Sequence, residues 1–136
     1  MVHDKKSAKV IAKMFSSIEQ GDMETFRTCF EAGAIIWHNF DQAEQTVEQT
    51  ADILQYFCSS TVSRKYQQQR ISWADDAAFS QHFLTAKFPS GYEMRLPALM
   101  RIVIGANGLV SRIDEYFDPK DSVVPEVEQS DLVASN

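Results

Sequence analysis

The stretch EMRLPALMRIVIGANGLVSRIDEYF, residues 93–117, decides the fold. Its first part alternates with a period of two. Met94, Leu96, Ala98, Met100, Ile102 and Ile104 share one parity, and Arg95, Pro97, Leu99, Arg101 and Val103 the other. Successive side chains of an extended chain point to opposite faces, so the wholly apolar set predicts a strand over 93–104 with that face against a core. GANG, residues 105–108, is a short turn-forming break. A second strand is expected over 109–117. Leu109, Ser111, Ile113, Glu115 and Phe117 form its better inner face, against Val110, Arg112, Asp114 and Tyr116. That inner face carries one carboxylate. Glu115 on an apolar surface is costly unless it is paired or protonated, which makes it the first candidate for chemistry. Its structural alternatives are a hydrogen bond to a nearby histidine or a salt bridge to Arg64 or Arg70.

Working outward, period-two runs at 64–73 and 77–88 are separated by ADDA, and PSG separates the second from residue 93. Four hairpin-linked strands follow one another. Over 79–85 the pattern leaves two inner faces open: Phe79, Gln81, Phe83 and Thr85, or Ser80, His82, Leu84 and Ala86. Upstream the period is helical. Ala8, Ile11, Phe15 and Ile18 share a face, with Val10 and Met14 beside them, and Gly21 stops the helix. Asp22 caps a short second helix with Met23, Phe26 and Phe30 inward. AGAIIWH, residues 32–38, is the first strand. TVEQ, residues 46–49, is a capping box opening a third helix with Val47, Ala51, Leu54 and Cys58 on one stripe. The expected fold is therefore α+β: three N-terminal helices packed on one face of a strongly curved, mostly antiparallel sheet. One domain is expected over 1–120. Residues 121–136 are expected to form an acidic, flexible tail.

The totals narrow the function. The 136 residues suffice for one domain with a core, and 44% hydrophobic with 24% charged residues is ordinary for a globular protein. Net charge is −6, of which −4 lies from Asp118 onward. Nothing in that distribution attracts a polyphosphate or an anionic membrane. No apolar run approaches the ~20 residues that span a bilayer. Cys29 and Cys58 read as reduced core thiols of a cytoplasmic protein. No C-x-x-C or H-x-x-x-H spacing suggests a metal site. His3 and His82 read as surface or interface groups.

Residues 7–118 resemble the SnoaL-like, nuclear-transport-factor-like superfamily. The resemblance rests on SSIEQGDMETFRTCF (16–30), AIIWHN (34–39), PSG (89–91) and GLVSRIDEYFDP (108–119), in this order and spacing. It implies a cone of helices on a curved sheet around a deep apolar pocket, with dimers formed through the outer sheet face. The superfamily includes ketosteroid isomerases, polyketide cyclases, limonene epoxide hydrolases, dehydratases and noncatalytic binding modules, so fold alone does not give the reaction. In ketosteroid isomerases the catalytic base matches His38. The oxyanion tyrosine on the first helix matches Met14, and its aspartic-acid companion matches Met100 to within one position, so both donors are replaced. In limonene epoxide hydrolases the water-holding carboxylate and asparagine match Glu115 and His38. Their arginine–aspartate pair matches Gln81 and Phe83, which implies that these two face inward.

These correspondences imply Ile36 and His38 toward the pocket and Trp37 and Asn39 away from it. His38 is the expected base, with Glu115 orienting it or acting as the acid. Gln81, Phe83, Met14, Met100, Ile36 and Ile113 are the expected substrate contacts. The implied function is a cofactor-independent enzyme moving protons on a small apolar organic molecule, of isomerase, cyclase, dehydratase or hydrolase type. The alternative is a noncatalytic ligand-binding or dimeric interaction module. Leu99, Val103, Tyr116 and Trp37 on the outer sheet face predict a homodimer.

Overall fold

The computed structural model describes residues 5–122. Helix α1 (Lys5–Gln20) buries Ile11, Met14, Phe15 and Ile18 on its apolar stripe. It ends at Gly21, whose φ of +72° is a left-handed conformation that glycine adopts without a Cβ penalty. Asp22 then caps α2 (Met23–Thr28), accepting from the Thr25 amide at 3.0 Å and the Thr25 hydroxyl at 2.6 Å. Phe30 does not extend this helix; it opens strand β1 (Phe30–His38). A short strand that the sequence pattern did not reveal, β2 (Glu44–Thr46), pairs antiparallel with β1. It leads directly into α3 (Val47–Ser60), where the capping box forms. Thr46 Oγ1 accepts from the Gln49 amide at 3.1 Å, and Gln49 Oε1 accepts from the Thr46 amide at 2.9 Å.

Strands β3 (Ser63–Ala74), β4 (Ala77–Lys87), β5 (Glu93–Ile104) and β6 (Val110–Tyr116) follow, then a 3₁₀ turn at Pro119–Ser122. The single sheet has the order β2-β1-β6-β5-β4-β3. Every pairing is antiparallel except β1 with β6. The main core joins helix residues Ile11, Met14, Phe15, Ile18 and Phe26 to sheet residues Ile36, Met100, Ile102 and Ile113. Of the expected tail, only Asp121 and Ser122 lie within the described residues; 123–136 fall outside them, as does His3.

The face assignments hold on β5, where Met94, Leu96, Ala98, Met100, Ile102 and Ile104 are all buried. Two corrections arise beside it. On β6, Val110 is buried with Ile113, although alternation put it outside. The cause is a bulge: Val103 pairs with Arg112 and Ile104 with Val110, so Ser111 is an extra residue that resets the parity. On β4, Gln81 and Phe83 do not face inward. They pair with Leu99 and Pro97 on the outer face, while Ser80, His82, Leu84 and Ala86 pair with Met100, Ala98, Leu96 and Met94. Cross-strand partners share a face, so the apolar side of β5 dictates the inner side of β4. His82 is therefore a core residue, 2% exposed, and not a surface one. Phe83 instead lies under the guanidinium of Arg95, 3.6 Å from the ring centroid.

Candidate active site

The sheet register builds the site. In the parallel pair His38 is the partner of Glu115, and in the antiparallel pair Glu115 is the partner of Met100. Three side chains from three strands thus stand in a row on the inner face. His38 Nε2 lies 3.3 Å from Glu115 Oε1, and the two side chains are 14% and 15% exposed. Asn39 secures the end of the row. Its amide donates to the Glu115 carbonyl at 3.1 Å, and its side-chain oxygen accepts from the Phe117 amide at 3.0 Å. The His38 ring packs near Phe40 and Phe117, at 5.7 and 6.0 Å between centroids. Trp37 points to the other face, against Tyr116 at 5.4 Å. The Trp-His-Asn end of β1 therefore divides its work: one residue packs outside, one enters the site, and one pins β6.

His38 and Glu115 border a cavity of about 640 Å³, a volume typical of small-molecule sites. Met14, Met100, Ile36 and Ile113 line it; Gln81 and Phe83 do not. Most of the remaining wall is apolar, including Ile18, Phe26, Leu54, Phe57, Leu84, Met94 and Leu96. Few dipoles there compete with the pair, so its electrostatic interactions are stronger than in water. Among the described residues His38 is the one basic side chain within ion-pair distance of Glu115. Arg64 is committed elsewhere. It donates to the carbonyls of Ile18 (3.3 Å), Glu19 (3.1 Å) and Cys58 (3.1 Å), tying the C-terminal ends of α1 and α3 together. Arg70 lies exposed on β3.

Two groups escaped the sequence reading. Tyr66 of β3 lines the same cavity. Burial first, then the charge of Glu115, holds its phenol well above the ordinary tyrosine range, so it is a neutral O–H. Its position in the period-two run 64–73 was the available signal. His82 lies behind Tyr66, their rings edge to face at 5.0 Å, and also meets Phe15 at 5.4 Å. Its Nδ1 is 2.8 Å from Ser80 Oγ, which accepts from Gln69 Nε2 at 3.0 Å. Burial lowers the pKa of His82, with Glu115 pulling the other way. That favours the neutral ring, whose Nδ1 shares a hydrogen bond with the Ser80 hydroxyl. Cys29 and Cys58 are free and buried, and burial raises both thiols. Among the described residues no group of three or more His, Cys, Asp or Glu could hold a metal ion. Nor is any helix there long and apolar enough to cross a membrane.

No family model matches the chain, and no curated protein matches it. Solved structures do. A protein assigned as a SnoaL-like polyketide cyclase from Shewanella denitrificans superposes with TM-score 0.74 at 8% identity, covering 98% of this chain and 100% of that one. One assigned as a hydroxylase, AclR from Streptomyces galilaeus, gives 0.74 at 12% identity, with coverage of 95% and 92%. One assigned as an isomerase from Bacillus subtilis gives 0.72 at 11%, with coverage of 86% and 89%. The chain has the SnoaL-like fold, an α+β arrangement of three helices and a six-stranded, mostly antiparallel sheet.

Proposed function

We propose that the cavity is the active site of a cofactor-independent acid/base enzyme acting on a small apolar organic molecule, with Glu115 as the base and His38 as its hydrogen-bond donor. The observation that carries this reading is the state of the His38 ring. Nδ1 is buried with no hydrogen-bond partner among the described residues, and Nε2 is the nitrogen that reaches Glu115. For His38 to accept a proton at Nε2, its own proton must sit on Nδ1. That would bury an unsatisfied donor, costing roughly 1–3 kcal/mol, and would aim an imidazole lone pair at a carboxylate. The opposite tautomer puts the proton on Nε2, toward Glu115. His38 then steadies the carboxylate, and the carboxylate takes the proton from the ligand and returns it. This reverses the roles that the resemblance implied.

The names of the structural neighbours, cyclase, hydroxylase and isomerase, support an enzyme. Among these the pair best suits isomerisation or cyclisation, which need a proton moved and nothing oxidised. The test needs no natural substrate. The protein is incubated in D₂O with a panel of apolar carbon acids, and deuterium uptake is followed by NMR. Glu115→Gln keeps the side-chain shape and should slow exchange by roughly 10²-fold, the scale of general-base catalysis. Equal rates in the two proteins, or no exchange by the wild type across the panel, would favour the ligand-binding module instead.

The same reading makes the outer sheet face a homodimer contact. Leu99 and Tyr116 stand 41% and 46% exposed there. Leu99→Arg should weaken self-association by about 30-fold, as for a central interface residue, measured by sedimentation equilibrium. A wild type that sediments only as monomer at micromolar concentration refutes it.

A further inference from the structure

We infer that the Gln45 carboxamide is a hydrogen-bond donor subsite in the cavity wall, and that it takes an uncharged acceptor oxygen on an otherwise apolar ligand. The inference rests on the reading of the cavity as a ligand site and is independent of which side chain is the base. Gln45 is the middle residue of β2, and Ile36 of β1 is its antiparallel partner. Cross-strand partners share a face, so Gln45 turns with Ile36 and His38 toward the cavity that all three line. Its neighbour Glu44 turns the other way and meets Arg112 at 2.9 Å.

The orientation of the carboxamide is set from α3. Thr50 is buried, and its hydroxyl donates to Gln45 Oε1 at 3.1 Å. Among the described residues no other acceptor takes that proton. Turning the amide round would set Nε2 against the hydroxyl and leave a buried O–H without an acceptor. The oxygen is therefore committed, while Nε2 and its two protons have no partner among the described residues. Packing at this inner position asks only for an apolar side chain, as Ile36 beside it shows. A carboxamide held by its oxygen, with its donors free at a cavity wall, is preorganised for an acceptor.

Charge narrows the class of that acceptor. Among the described residues no lysine or arginine lines the cavity, and Glu115 is part of its wall. An anionic group would find no counter-ion there and would be repelled. The matching atom is a neutral ether, ester or ketone oxygen. The strand lattice fixes its place: with two residues of rise and one strand spacing between them, the Cα atoms of Gln45 and His38 stand about 8 Å apart. Gln45 thus meets a part of the ligand remote from the His38–Glu115 pair. It selects which apolar molecules bind and which end of them reaches that pair.

The experiment compares 2-methoxynaphthalene with 2-ethylnaphthalene, which differ by one oxygen in place of a CH₂, by fluorescence titration of the full chain at pH 8. In Gln45→Met the ratio of the two dissociation constants should shift about fivefold against the ether relative to wild type, the loss of one neutral hydrogen bond. Gln45→Glu keeps an oxygen for the Thr50 hydroxyl but turns lone pairs toward the ligand, so its ratio should shift the same way by at least as much. If Gln45 served only to accept from Thr50, Gln45→Glu would keep the wild-type ratio. Circular dichroism checks that both variants fold; should one misfold, the other decides. Glu115→Gln should keep the wild-type ratio. An unchanged ratio in either folded Gln45 variant, or no binding of either probe to the wild type, overturns the subsite. Discrimination lost in the Gln45 variants, with deuterium exchange that ignores Glu115→Gln, would sink the base assignment and leave the subsite standing.

Discussion

His38 and His82 stand on the inner face of one sheet, and each leaves one buried ring nitrogen without a hydrogen-bond partner among the described residues. Their other nitrogens differ. His38 reaches a carboxylate at the cavity wall, while His82 reaches the Ser80 hydroxyl in the packed core. The first arrangement can hold and steer a proton in contact with a ligand. The second favours the neutral ring, because a charge at His82 would lie between aromatic rings with no counter-ion in contact. A histidine's chemistry is decided here by its second partner and by access, not by burial alone.

The largest effect that could break this contrast lies at the first histidine. Glu115→Gln and His38→Ala should each lower exchange by about 10²-fold, and the double variant should be little worse than the worse single, because groups acting as a unit are not additive. Fully multiplicative losses would show that the two side chains act separately. A smaller effect sharpens the second histidine. The pKa of His82 is depressed on folding, from an unfolded value near 6.5. The unfolded chain therefore binds the proton more readily, so His82's contribution to stability is full above about pH 6.5 and is lost as pH falls below it. His82→Phe should cost about 1 kcal/mol at pH 8, through the lost Ser80 bond, yet flatten the decline between pH 6.5 and 5. Urea titrations at both pH values read this directly. An undiminished decline in His82→Phe would remove His82 from the account.

The neighbouring strands β4 and β5 show why one part of the fold was legible in the sequence and another was not. On β5 every inner residue is apolar, so alternation alone names the face. On β4 the inner face carries Ser80 and His82, while Phe79 and Phe83 sit outside, with Arg95 stacked on Phe83. Local polarity there runs against burial, and only the register with β5 resolves it. The resemblance failed at Gln81 and Phe83 for the same reason: a motif position carries no information about strand parity. Val110 was hidden by a bulge that no residue type announces. Glu115 stood out because a carboxylate at the inner parity of an apolar strand has few structural explanations, whereas His38 came from the resemblance. Tyr66 was not, since an aromatic residue in a period-two run reads equally well as wall or as chemistry.

The direction of the proton between His38 and Glu115 is the central claim, and ¹⁵N NMR of the histidine rings tests it without any ligand. At pH 8, where an ordinary imidazole is neutral, His38 should show a protonated Nε2 and a bare Nδ1, and Glu115→Gln should weaken that preference. A His38 ring protonated at Nδ1, with Nε2 bare toward Glu115, would make the histidine the base and contradict the assignment of that role to the carboxylate.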